Sequence, residues 1–210
     1  MRRASAHWLK PPGPVAPGLR IGLLGGSFNP PHEGHLHISD VALKRLRLDY
    51  VWWLVSPQNP LKAARDTTPL DARIALATRL VHARRVIVTD VERTLGTRYT
   101  VDTLAALMRR FPSVHFVWLM GSDNLASFHR WRDWPRIAQR MPIAVVMRPG
   151  SMLAPLQAKA MQRFWRARLK KLRGFPKAKP PALAIVGGPR NLQSSTALRM
   201  GTLVAPPALC

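Results

Sequence analysis

Between Gly25 and His35 the chain reads Gly-Gly-Ser-Phe-Asn-Pro-Pro-His-Glu-Gly-His. Paired glycines let backbone approach a ligand with no Cβ in the way. A helix start after them would offer free N–H groups and the positive end of a dipole, which is a ready anion site. His32 and His35, three residues apart across that start, can point to one side. Two imidazoles there can donate hydrogen bonds to phosphate oxygens and offset charge that builds during phosphoryl or nucleotidyl transfer. Other readings fit less well. No Gly-Lys-Ser/Thr follows, so this is not a Walker loop, and the dinucleotide Gly-x-Gly-x-x-Gly spacing is absent. His32, His35 and His37 with Glu33 suggest a metal, but the zinc-protease spacing is His-Glu-x-x-His and here it is His-Glu-x-His. A purely structural pair of histidines is the remaining alternative.

The elements that must hold this loop follow from periodicity. Ile21–Leu24 is a buried apolar run ending at the glycines, and Leu36–Leu48 has helical spacing. Strands are predicted at Tyr50–Val55, Arg85–Thr89, Val114–Met120, Pro142–Met147 and Ala182–Val186. Helices are predicted at Asp71–His82, Val101–Phe111 and, long and basic, at about Leu153–Leu172, with Phe164, Trp165 and Leu169 turned to the core. A short final helix begins at Ser194. Alternation of strand and helix predicts an α/β fold, a Rossmann-like, doubly wound parallel sheet with helices on both faces. Ligands of such sheets bind beyond the carboxyl ends of the strands, so the loops after Leu24, Val55, Met120 and Val186 are where a site belongs.

Composition narrows the class. At 210 residues, 47% hydrophobic, the chain can bury a real core, and no apolar run approaches the roughly 20 residues of a membrane span. Cys210 is the single cysteine, so no intramolecular disulfide supports the fold, which fits a cytoplasmic location. The formal net charge is +23, and all ten acids lie at or before Asp133. Such a field attracts anions without choosing one. Residues 1–19 are basic and proline-broken, with no apolar export signal, and are read as a flexible lead-in that adds nothing to the core. Residues 20–210 are expected to form one domain with a small helical part at its end.

The motif Gly25 to His35 resembles the signature of the nucleotidyltransferase superfamily with the His-x-Gly-His element. Ser194-Ser195-Thr196-Ala197-Leu198-Arg199 resembles its Ser-Ser-Thr-x-x-Arg element. Four more stretches narrow the branch: Pro57–Lys62, Thr97–Leu104, Gly121–Asn124 and Phe128–Trp131. Together they resemble the bacterial nicotinate-nucleotide adenylyltransferases, the branch that forms deamido-NAD.

The resemblance implies adenylyl transfer from ATP to nicotinate mononucleotide, with pyrophosphate released and Mg²⁺ carried in by ATP. By the same resemblance His32, His35 and Arg199 would act on the reacting phosphates. Gly25, Gly26, Ser27, Phe28, Gly34, Asp123, Ser195 and Thr196 would bind ATP, Asp123 through the ribose hydroxyls. Asn59, Lys62, Tyr99, Thr100, Trp131 and Arg132 would bind nicotinate mononucleotide, with Trp131 stacked on the pyridine ring and backbone near Thr100 and Arg132 meeting its carboxylate. Residue by residue there are plainer readings: Asp123 or Thr100 as a helix N-cap, Trp131 as core packing, Lys62 as a solvated side chain. Sister transferases using nicotinamide mononucleotide or phosphopantetheine remain alternatives. So does a basic nucleic-acid-binding module, although the aromatic-and-basic strand signature of such modules is missing. No membrane partner is expected, and the sequence leaves a homo-oligomer open.

Overall fold

Alternate residues of each strand point to opposite faces of a sheet, and here both faces are apolar. A computed structural model describes residues 10–57, 68–147 and 158–188. Its six strands are β1 (Arg20–Gly26), β2 (Tyr50–Val55), β3 (Val86–Thr89), β4 (His115–Gly121), β5 (Ile143–Val146) and β6 (Leu183–Val186). They form one sheet in the order β3-β2-β1-β4-β5-β6, with every pairing parallel. Runs such as Val51–Val55 are apolar throughout because a parallel sheet is covered on both sides.

One face carries Ile21, Leu23, Trp52, Leu54, Trp118 and Met120. It packs on α3 (Val91–Leu95), α4 (Thr100–Arg110), α5 (Ser122–Ser127), α6 (Trp134–Arg140) and α7 (Lys159–Arg163). The other carries Leu24, Val51, Trp53, Val55, Val117 and Leu119 and packs on α1 (Glu33–Arg45) and α2 (Leu70–Leu80). Helices between β1 and β3 thus cover one face, and helices between β3 and β5 the other. The chain reverses direction across the sheet between β1 and β4, and a crevice outside the carboxyl ends of strands at such a point is the general ligand site of open α/β sheets. The Gly25–His35 loop leaves β1 and the Gly121–Asn124 stretch leaves β4, so both motifs stand at that crevice.

The predicted strands and three of the predicted helices are present with ends shifted by a few residues. The short helices α3, α5 and α6 were not anticipated, since five to seven residues carry too little periodicity to read. The long basic helix is corrected. Among the described residues it is the five-residue α7, then one 3₁₀ turn at Trp165–Ala167, after which Arg168 bridges in parallel to Leu183. The spacing of Met161, Phe164, Trp165 and Leu169 suits a helix, but the edge of β6 offers the backbone other partners: Leu169 N–H donates to the Leu183 carbonyl at 2.7 Å. Phe164 does pack against the core, but Trp165 and Leu169 are 53% and 39% exposed and do not turn inward. The lead-in also contributes more than expected. Val15 and Leu19 pack on the core, and Gly18 N–H donates to the Ser113 carbonyl at 2.8 Å. No helix among the described residues is long and apolar enough to cross a membrane.

Candidate active site

Helix α1 begins at Glu33, three residues earlier than its apolar spacing predicts, because histidines cap it. His32 is the N-cap in extended backbone, and its Nδ1 accepts from Gly34 N–H at 3.0 Å. His35, at the third helical position, accepts at Nδ1 from His32 N–H at 3.3 Å. This is a capping box whose usual Ser/Thr and Glu are both replaced by imidazoles. The hydrogen bonds also fix tautomers: an Nδ1 that accepts carries no proton, so the neutral rings hold theirs on Nε2. The ring centroids lie 4.0 Å apart. Two Nε2–H donors are thereby held side by side at a helix N-terminus, where anions are favoured.

Neighbouring elements lock this pair. Phe28 has φ 47°, a left-handed conformation that costs a non-glycine residue roughly 1–3 kcal/mol. Its ring is buried, 5.0 Å from the Trp53 ring and 4.5 Å from that of His35, so aromatic packing offsets the strain. Trp53 Nε1 donates to Ser39 Oγ at 2.8 Å, and Ser39 Oγ donates to the His35 carbonyl at 2.9 Å. Strand β2 therefore holds the second turn of α1 and, through Ser39, the His35 carbonyl of the first. Gly25 has an immediate packing reason to be glycine: a Cβ there would sit 2.4 Å from the Trp118 ring on β4.

Sequence reading missed Arg73, which organises the loop from behind. It is 1% exposed on α2. Its guanidinium donates to four backbone carbonyls: Nη1 to Ser27 at 2.6 Å and Ser56 at 2.7 Å, Nη2 to Pro57 at 2.9 Å, and Nε to Thr68 at 2.8 Å. Burial pulls its pKa down from the usual arginine value. The available signal was positional: Arg73 and Ala77, one helical turn apart, are the buried positions of α2, and a charge on the inward face needs a polar partner. Glu92 was missed as well. It is 7% exposed on α3, within reach of Ser56 and Thr103, and burial pushes its pKa up to about 7.

The remaining expected residues divide in two. Tyr99 and Arg132 come together, with the guanidinium carbon 4.5 Å from the ring centroid. Trp131, half-buried, packs edge-on against Trp118 and Phe128 at 6.0 and 5.4 Å. Thr100 is the first residue of α4 and Asp123 the second of α5; the N-caps are Tyr99 and Gly121, without side-chain cap bonds. Neither Thr100 nor Asp123 is thus a helix cap, and Asp123 is exposed at the carboxyl end of β4. Asn59, Lys62, Ser195, Thr196, Arg199 and the helix expected from Ser194 lie outside the described residues. Among the described residues no three His, Cys, Asp or Glu side chains gather as a metal-holding group.

A sheet reversing at β1/β4, with a glycine bend and an imidazole-capped helix at that point, defines an α/β nucleotidyltransferase. The chain belongs to the cytidylyltransferase-like family, whose model matches residues 23–201. A probable nicotinate-nucleotide adenylyltransferase of Cereibacter sphaeroides is 54% identical over 179 residues, 85% of this chain and 96% of the relative. One from Methylorubrum extorquens is 53% identical over 183 residues, 86% of this chain and 99% of the relative. The fold is also that of Plasmodium falciparum nicotinic acid mononucleotide adenylyltransferase complexed with NaAD. That match has a TM-score of 0.66 at 17% identity and covers 87% of this chain and 83% of that one.

Proposed function

We infer that this chain transfers the adenylyl group of ATP to nicotinate mononucleotide, forming nicotinate adenine dinucleotide and pyrophosphate, a step of NAD biosynthesis. The observation that carries the chemistry is the imidazole pair: His32 and His35, centroids 4.0 Å apart, with their neutral-ring protons on Nε2 at the N-terminus of α1. The relatives at 53–54% identity support the choice of acceptor.

In the reaction a phosphate oxygen of the mononucleotide attacks the α-phosphorus of ATP. The new P–O bond forms as the bond to pyrophosphate breaks, in line. The attacking oxygen is already anionic at neutral pH, so no strong base is needed. What the protein supplies is position and compensation for charge on the five-coordinate phosphorus. We assign that compensation to the Nε2–H groups of His32 and His35, with Arg199 adding a charged fork. Gly26, Ser27 and Gly34 would supply backbone around the phosphates, with Ser195 and Thr196 beside them. Asp123 would accept from the ribose hydroxyls. Tyr99, Thr100, Trp131 and Arg132 would form the acceptor pocket, together with Asn59 and Lys62. Mg²⁺ enters as part of the ATP substrate. We assign residues 20–210 to one transferase domain and the enzyme to the cytoplasm.

The test is a paired-substrate assay. Pyrophosphate is expected only when ATP and nicotinate mononucleotide are both present. Equal or faster turnover with nicotinamide mononucleotide would move the chain to a sister branch, and tight nucleic-acid binding without turnover would remove it from the enzymes.

A further inference from the structure

A buried carboxyl group needs a reason to be where it is, because burial without partners costs several kcal/mol. Glu92 is 7% exposed, and the roles assigned above make no use of it. Its partners come from two directions. Thr103 Oγ on α4 donates to Oε1 at 3.4 Å, and the Ser56 side chain, just past β2, hydrogen-bonds the same carboxyl group. The backbone of Glu92 takes part too, its carbonyl accepting from Thr97 N–H at 3.0 Å. Thr103 Oγ in turn lies 2.8 Å from Thr97 Oγ and 3.3 Å from the Tyr99 carbonyl. Every bond on the α4 side thus converges on the turn from Thr97 to Tyr99. On the other side, Ser56 N–H donates to the Gly26 carbonyl at 2.9 Å, at the end of β1 where the phosphate loop begins.

We propose that Glu92 is a positioning residue that fixes the Thr97–Thr103 segment, and with it the Tyr99–Thr100 wall of the acceptor pocket, against the carboxyl ends of β1 and β2. The proposal rests on the assignment of nicotinate mononucleotide as acceptor. It distinguishes the two substrates. The phosphate loop is tied independently by Arg73 to the Ser27 carbonyl and by the Ser56–Gly26 backbone bond, neither of which involves the Glu92 side chain. Among the hydrogen bonds of the described residues, the side chains of the Thr97–Thr103 turn bond across to α3 only at Glu92. Loss of the carboxyl group therefore loosens the acceptor wall and spares the ATP side. A carboxyl group whose pKa is about 7 is substantially protonated at neutral pH, so a neutral amide of the same length is a fair replacement.

The experiment measures kcat and both KM values for the full chain and for Glu92→Ala, Glu92→Gln and Thr103→Val. Glu92→Ala should raise KM for nicotinate mononucleotide about tenfold or more and change KM for ATP less than about twofold. Glu92→Gln should recover most of that loss, whereas a merely structural role would move both KM values or neither. Should Glu92→Ala fail to fold, Thr103→Val, nearly isosteric, carries the test and should raise the acceptor KM alone. Equal changes in both KM values, or an unchanged acceptor KM in folded variants, overturn the proposal while leaving the activity intact. An unmodified chain that forms no dinucleotide overturns the functional reading and this inference with it.

Discussion

His35 serves two purposes at once, and they can be separated by measurement. Its Nδ1 closes the capping box on His32 N–H, which contributes about 0.5–2 kcal/mol to the start of α1. Its Nε2–H is the group we assign to the reacting phosphates. His35→Ala should lower kcat about a hundred- to thousandfold while the protein stays folded with a slightly reduced Tm. A folded variant with near-normal turnover would take this histidine out of the mechanism. Glu92 makes a second prediction at this scale. Its pKa rises from 4.5 to about 7 on folding, so between those values the folded chain binds more protons than the unfolded one. Stability from this group is fully present below pH 4.5 and is lost as the pH passes 7, a difference of about 3 kcal/mol. Denaturant titrations from pH 4.5 to 8 should show that decline in the parent and a smaller one in Glu92→Gln.

Among the elements, α2 matters for what it does behind the site. It is a half-exposed helix whose buried Arg73 holds carbonyls of the segments that follow β1 and β2. Arg73→Met should destabilise the protein by about 3–5 kcal/mol, because several buried acceptors lose their donor together. Arg73→Lys should recover only part of this, since one ammonium cannot reproduce a planar fork. Circular dichroism under urea checks both. The approach of β1 to β4 is equally unforgiving. Gly25→Ala puts a methyl group 2.4 Å from Trp118, a ring that is 1% exposed and has little room to yield. It should cost about 1–3 kcal/mol and displace the glycine bend, so that kcat falls with stability.

At the scale of the molecule, charge is the dominant feature. The chain carries a formal +23 on 210 residues, and its substrates are both anions. Such a field raises encounter rates and is screened by salt, over about 10 Å at 0.1 M. Raising ionic strength from about 0.05 to 0.5 M should therefore lower kcat/KM for ATP and for nicotinate mononucleotide severalfold with little change in kcat. A kcat/KM insensitive to salt would mean that the basic surface serves some other end.

The sequence by itself determined the parallel α/β class, because continuous apolar strands separated by helical spacing have few other solutions. It also pointed to the Gly25–His35 loop, because glycines, prolines and histidines at that spacing suit a backbone-plus-imidazole site, and the structure places that loop at the carboxyl end of β1 with both imidazoles capping α1. Only the tertiary structure decided what supports the loop. Arg73 lies far along the chain from the Ser27 carbonyl it holds, and Glu92 joins Ser56 to Thr103 across three elements. Contacts of that kind leave no local periodicity. A buried arginine and a buried glutamate look solvated in a one-dimensional reading until the fold removes water from around them. The same reason explains the basic stretch after Lys159, where a sheet edge, invisible in the sequence, gave the backbone better partners than a long helix could.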